Sequence, residues 1–277
     1  MARQLRINYP GAFYHVTSRG NEQKAVFKSK RDREKFLEYL ETATLRYNAV
    51  VHVYCLMDNH YHLLVETPRA NISKGMHLLN TRYCIRFNRR HERVGHVLQG
   101  RFKSLLVDRH SYLLELSRYI VLNPVKAGLV KRPEDWEWSS YRAAIGLEGV
   151  PDFLRTEHIL EMFSPDIQEA RKLYREFVMD GLSRLGMERD EEVLEKGKRY
   201  TKAILKELEK ARRKAGHKKN ALKSPKTKRL LREIRKDLIL KSVIELGLKP
   251  GEAAAVLGIH RSTIYRMVNK CKSDKKK

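Results

Sequence analysis

A chain of 277 residues with a formal net charge of +25 has room for two domains and is too basic for an ordinary metabolic enzyme, so polyanions are its expected partners. Residues 1–150 hold 25 Lys and Arg against 14 Asp and Glu, a net of +11, and the remaining 127 residues carry +14, so the positive field runs along the molecule rather than sitting on one tail. Cys55, Cys84 and Cys271 are odd in number and lack Cys-x-x-Cys spacing, which argues against a zinc ribbon or a disulfide framework. No run reaches the roughly 18 apolar residues of a membrane span, so a cytoplasmic setting without a membrane partner is expected.

The first element is a strand, Ala12-Phe13-Tyr14-His15-Val16-Thr17-Ser18-Arg19, aromatic and β-branched until Gly20-Asn21 breaks it. A helix follows over 31–47, with Phe36, Leu37, Leu40 and Leu45 at helical spacing. A second strand covers 50–57, Asp58-Asn59 form a turn, and a third strand covers 60–67. This third strand carries His60-Tyr61-His62. Alternate strand residues share a face, so His60 and His62 project together and offer two imidazoles to one divalent metal, while Tyr61, Leu63 and Val65 face the other way. A His-x-His-x-His nucleotide hydrolase would need a third histidine where Leu64 stands.

The second helix, expected over 71–93 with Asn71 as its cap, has Met76, Leu79, Tyr83 and Phe87 on its apolar side. Arg82, Arg86, Arg89, Arg90 and Arg93 draw a basic stripe along it that suits a nucleic-acid backbone. A fourth strand over 97–108, interrupted at Gly100, brings Arg101 and Lys103 to the same region. Strand, helix, strand, strand, helix, strand is the ferredoxin-like split βαβ order, an α+β antiparallel sheet with both helices on one face. A third helix, expected over 112–122, is then added. It carries Tyr112 and Tyr119 and ends at Asn123-Pro124, where proline disfavours helical geometry in the residue before it.

The His60-Tyr61-His62 strand, together with Tyr119 and Asn123-Pro124 about sixty residues later, resembles the single-tyrosine HUH transposases of the IS200-like superfamily, most closely the REP-associated tyrosine transposases. The resemblance covers residues 10–144. It implies a metal-dependent transposase that cuts single-stranded DNA through a covalent 5′-phosphotyrosine on hairpin-forming repeats and works beside the bacterial nucleoid. Tyr119 is then the nucleophile, preferred to Tyr112 for its Asn-Pro context. Magnesium or manganese would be held by His60 and His62, with Asn123 as third ligand. Tyr119 and Asn123 share a helix face at i and i+4, which agrees. Some relatives carry an acidic residue three positions before the first histidine, where this sequence has Met57. His15 and Asp108 are secondary candidates whose default role is structural.

Trp136 and Trp138 read as core residues, and two more amphipathic helices follow over 157–163 and 165–178. Charged helices over 188–213 and 226–246 flank a polar gap at 216–225. Residues 250–268 have the spacing of a helix-turn-helix, with small Ala254, Gly258 at the turn and Ile264 as anchor, which would turn Arg261, Ser262, Thr263, Tyr265 and Arg266 towards duplex DNA. The expected domains are thus 1–148 for the nuclease unit, 149–235 for a helical connection and 236–277 for duplex binding. Two other functions stay open: a sequence-specific DNA-binding regulator on a non-catalytic nuclease fold, and an HUH replication initiator. The DNA target and the choice between monomer and dimer are likewise open.

Overall fold

The computed structural model describes residues 8, 10–107, 112–183, 194, 195, 198, 199 and 202. The chain divides into two compact units, 1–201 and 202–277, and every element described below belongs to the first. The expected helix-turn-helix, with Arg261, Ser262, Thr263, Tyr265 and Arg266, lies outside the described residues, as does Asp108. Among the described residues no helix is long and apolar enough to cross a membrane.

The core is a four-stranded antiparallel sheet of β1 (Ala12–Arg19), β2 (Val50–Leu56), β3 (His60–Thr67) and β4 (Lys103–Val107), in the order β2-β3-β1-β4. Helices α1 (Lys30–Tyr47) and α2 (Ile72–Arg90) make the two crossovers, which is the expected α+β pattern. Both pack on one face. Phe36 of α1 meets Tyr61 of β3 with ring centres 4.7 Å apart, Tyr83 of α2 meets Phe36 at 5.2 Å, and the Tyr61 hydroxyl donates to Asn80 Oδ1 at 2.6 Å. This aromatic cluster removes large apolar areas from water and anchors the layer.

Ser29 caps α1 by accepting from the Asp32 amide at 3.3 Å, and Asn48 closes it in the left-handed conformation at φ 50°. The buried face runs through Phe36, Leu40 and Ala43, whereas Leu45 is 77 % exposed. Nine residues at about 100° each separate Leu45 from Phe36, which puts it on the opposite side of the helix. On α2 the expected apolar residues Met76, Leu79, Tyr83 and Phe87 are all buried. Asn71 does not cap this helix; its amide instead donates to the Tyr47 carbonyl at 2.7 Å and ties the end of α1 to the start of α2. The fourth strand is shorter than expected, because residues 97–102 turn through Gly100 at φ +68° and pair only with the end of β1 and the turn after it, where the Gln99 amide donates to the Arg19 carbonyl at 2.8 Å beside the Gly20–Leu98 bridge.

The opposite face of the sheet is covered by α3 (Leu113–Lys126), which continues past Leu122 with Pro124 inside it. Proline has no N–H for the Ile120 carbonyl and crowds it. The Asn123 side-chain amide fills the gap, donating to the Tyr119 carbonyl at 2.7 Å and approaching that of Ile120 at 3.4 Å. The helix therefore survives its proline, and the expected break at Asn123 does not occur. Beyond it lie α4 (Tyr141–Ala144), α5 (Glu157–Leu160) and α6 (Ile167–Ser183), the last begun by Asp166 accepting from the Glu169 amide at 2.8 Å. Leu116 and Ile120 of α3 share one core with Phe13, Val53 and Leu64 of the sheet and with Ile159, Tyr174 and Val178 of α5 and α6. Helices from the expected connecting region thus pack on the nuclease core. Buried Arg118 of α3 pairs with Glu115 and places its guanidinium 4.3 Å from the Phe177 ring of α6.

Candidate active site

The face under α3 holds the chemistry. Strand register sets its rows: Thr17 of β1 stands opposite both His62 and Lys103, Arg19 stands opposite His60, and His15 lies one row deeper opposite Leu64 and Leu105. Paired residues point to the same side of a sheet, so Arg19 and Lys103 share a face with both histidines.

The turn before β3 is held from several directions. The Asp58 carbonyl accepts from the amides of Val26 and Phe27 at 2.8 and 3.0 Å, and the Asn59 carbonyl accepts from Gly20 at 2.8 Å. Buried Arg33 pairs with the Asp58 carboxylate and lies 5.7 and 5.5 Å from the Trp136 and Trp138 rings. These half-buried tryptophans therefore flank the Arg33–Asp58 pair, with the Trp136 indole donating to the Leu56 carbonyl at 3.2 Å at the end of β2. Gly20 is required sterically, because a Cβ there would stand 2.0 Å from the Lys24 carbonyl oxygen. Asp58 is paired with Arg33 and Met57 is buried, while the Asp58 charge still acts on His60, opposing in small part the effect of burial.

His60 and His62 stand with ring centres 4.9 Å apart and planes inclined at 75°. The Asn59 amide donates to the Gln23 carbonyl at 3.1 Å, which turns its oxygen to His60 Nδ1 at 2.6 Å. That oxygen can only accept, so Nδ1 carries the hydrogen and Nε2 the lone pair. Burial, with a smaller contribution from Arg19, pushes His60 down to about 4. Burial also holds His62 well below the ordinary imidazole range, helped by His15, His60 and Lys126, and pushes His15 down to about 3. All three are neutral at physiological pH, the form that binds a metal.

Tyr119 is half-buried and meets the histidines edge-on, 5.7 Å from His62 and 6.0 Å from His15 between ring centres. Lys126, two turns later on α3, places Nζ 4.9 Å from the centre of the Tyr119 ring. Tyr112 is different. It is 3 % exposed inside the core, its hydroxyl has no hydrogen-bond partner among the described residues, and burial drives its phenol far up.

The donor types suit a divalent cation: two neutral imidazoles side by side, and an amide oxygen on α3 whose distance from them no contact fixes. Neutral His60 and His62 converge, and the Asn123 amide has its nitrogen committed to the helix, which leaves its oxygen as the donor atom for a cation. Among the described residues no group of three or more His, Cys, Asp or Glu side chains is arranged to hold a metal, so water and substrate oxygens would complete the shell.

The basic residues divide between two faces. Arg82, Arg89 and Arg90 are exposed and Arg86 half-exposed on α2, across the sheet from Tyr119, with Arg90 3.5 Å from Asp32; the helix ends at Arg90, so Arg93 lies in the turn beyond it, its guanidinium 5.8 Å from the Phe87 ring. Arg101 and Lys103 are exposed at the β4 edge, and Lys103 alone of these shares the histidine face. Arg19 and Lys126 were not legible as site residues. Only strand pairing puts Arg19 beside His60, and only helix periodicity, Tyr119 plus seven, points to Lys126.

Residues 8–123 match the family model "Transposase IS200 like". A Haemophilus influenzae protein named as a REP-associated tyrosine transposase is 28 % identical over 35 % of this chain, and the match spans 62 % of that relative's length. The chain is also similar to a solved REP-associated tyrosine transposase bound to a REP hairpin, at 17 % identity and a TM-score of 0.46 over 55 % of this chain and 89 % of that one. A tRNA(His) guanylyltransferase structure from Saccharomyces cerevisiae gives a TM-score of 0.34 at 8 % identity over 64 % and 82 % of the two chains. The matched span runs from just before β1 to Asn123 and so takes in both histidines and Tyr119, and this part of the chain is similar to the IS200-like transposases.

Proposed function

We propose that the protein is a transposase that cuts and rejoins single-stranded DNA with Tyr119 as nucleophile, acting on hairpin-forming repeats. The observation that carries this reading is the Tyr119 ring set edge-on to His62 at 5.7 Å, which puts a phenol beside two neutral imidazoles. The Tyr119 hydroxyl loses its proton to solvent as its oxygen attacks the scissile phosphorus, the bond to the 3′ oxygen breaks, and that oxygen takes up a proton from solvent. The products are a 5′-phosphotyrosine and a free 3′-hydroxyl. Attack by that hydroxyl on the phosphotyrosine reverses the step, so the phosphodiester energy is kept and no nucleotide cofactor is needed.

A phenol with an ordinary pKa near 10 is a poor nucleophile unaided. When bound, magnesium or manganese polarises the phosphate and offsets charge developing on its oxygens; His60, His62 and the Asn123 amide oxygen would hold it. Lys126 beside the phenol ring, and Arg19 and Lys103 on the same face, give the flanking phosphates cationic partners. Arg101 leads the strand in at the β4 edge. The α2 stripe of Arg82, Arg86, Arg89 and Arg90, with Arg93 in the turn after it, lies on the far face and suits the duplex stem of a hairpin rather than the cut strand. The segment 236–277 would add duplex binding through Arg261, Ser262, Thr263, Tyr265 and Arg266. Such a protein works in the cytoplasm, beside the nucleoid.

The test is a hairpin oligonucleotide with single-stranded flanks, labelled at its 3′ end and incubated with magnesium or manganese. The label should migrate with the protein on a denaturing gel, and the released fragment should be extendable by a polymerase. No adduct with either metal, on any of a panel of hairpins that the protein binds, would sink this reading.

A further inference from the structure

His15 is 2 % exposed, in the middle of β1, where its cross-strand neighbours are Leu64 and Leu105. An apolar side chain would suit that place, yet the residue is an imidazole. Its Nε2 lies 2.9 Å from Nδ1 of His62, with the rings stacked at 5.2 Å and 14°. Its other nitrogen, Nδ1, is buried with no hydrogen-bond partner among the described residues. A buried polar atom left unpaired costs stability, so core packing alone does not account for a histidine here.

His15 is less suited to hold a metal itself: its Nε2 is engaged by His62, and its Nδ1 is buried. We propose that His15 is a positioning residue for His62, engaging its Nδ1 so that the His62 Nε2 is the atom turned towards His60 and a divalent cation. With Nε2 of His62 donated to a cation, the ring hydrogen sits on Nδ1 and is given to Nε2 of His15. This is the task that Asn59 performs for His60, where the amide oxygen holds Nδ1 at 2.6 Å. Each imidazole of the pair thus has its own fixed partner behind it, one an amide on the turn and one an imidazole on the neighbouring strand. A ligand held in this way is pre-oriented and loses less freedom on binding.

The inference rests on the cation reading above, and the experiment separates the two. Manganese binding to the full chain, without DNA, is measured by calorimetry for the wild type, His15→Gln and His15→Leu, alongside thermal unfolding in chelator. Glutamine carries an acceptor oxygen near the place of Nε2; leucine fills the space without one. His15→Leu should unfold no earlier than the wild type yet bind manganese about 10- to 100-fold more weakly. His15→Gln should recover most of that loss. Equal manganese affinity for all three would overturn the role of His15 while leaving the cation site standing, and equal weakening in both variants would reduce His15 to a space-filling residue. A wild type that binds no manganese overturns the cation reading and this one together. Should His15→Leu not fold, His15→Asn takes its place, since its shorter amide falls short of His62 Nδ1.

Discussion

The side-chain amide of Asn123 donates to the backbone carbonyl of Tyr119 at 2.7 Å, one turn back along the same helix. The side chain proposed as third metal ligand is therefore also the one that repairs the helix at Pro124, and its two ends have separate jobs. Asn123→Ala should cost about 1 kcal/mol of stability through the lost hydrogen bond and weaken manganese binding less than His60→Ala or His62→Ala does. Asn123→Asp keeps an oxygen for the cation and loses the N–H donors, so it should be destabilised like the alanine variant while retaining more metal affinity. Denaturant melts and calorimetry on the three proteins read the two effects separately. If the aspartate and alanine variants bind manganese equally, the oxygen is not a ligand.

Tyr119 and Tyr112 are told apart by burial. Tyr119→Phe should still bind the hairpin but give no covalent adduct. Tyr112→Phe should cut normally and be as stable as the parent, or more so by up to about 1 kcal/mol, because the lost hydroxyl is buried without a partner among the described residues. Adduct gels and unfolding curves on both proteins decide the assignment, and an adduct that persists in Tyr119→Phe but vanishes in Tyr112→Phe would reverse it.

Most strand and helix positions were legible. Strands β1 and β3 and the apolar side of α2 follow from alternation and period, because those patterns are local. What sequence alone did not reveal depends on pairing across the sheet. His15 reads as an ordinary strand histidine until the β1–β3 register sets it behind His62, and Arg19 until it falls opposite His60. The length of α3 was hidden for another reason: the amide that rescues Pro124 belongs to a residue already claimed for the metal. The α2 stripe was legible as a stripe, but the face of the sheet it occupies was not.

Metal-free stability should fall with acidity. The native pKa of His15 is pushed down to about 3 and that of His60 to about 4, with His62 also well below its ordinary value, whereas the unfolded chain titrates its histidines near 6.5. Below about pH 6.5 the unfolded state takes up protons that the native state refuses, so stability is greatest above that pH and declines as pH falls towards 4. Each fully buried histidine contributes a slope of at most about 1.4 kcal/mol per pH unit in that window. Thermal unfolding in chelator at pH 7 and pH 5 should show a lower Tm at the acid value and a smaller drop for His15→Leu. An equal drop in both proteins would mean that His15 is not among the groups responsible.

Removal of residues 236–277 should weaken binding to duplex DNA and flatten its salt dependence, while a short single strand is still cut. Filter binding across a salt series, paired with the adduct assay, measures both. Unchanged duplex affinity would show that the segment is not a duplex-binding unit.

Arg118 stands next to the proposed nucleophile in sequence and points the other way, onto the Phe177 ring, while Gly181 of α6 comes so close that an added Cβ would stand 2.6 Å from Arg118 Cδ. The tyrosine-bearing helix is thus held by α6 on its outer side and by the sheet on its inner side. On the proposed reading, a strand joined to Tyr119 would shift together with α3 and α6 as a single lever, rather than with α3 alone.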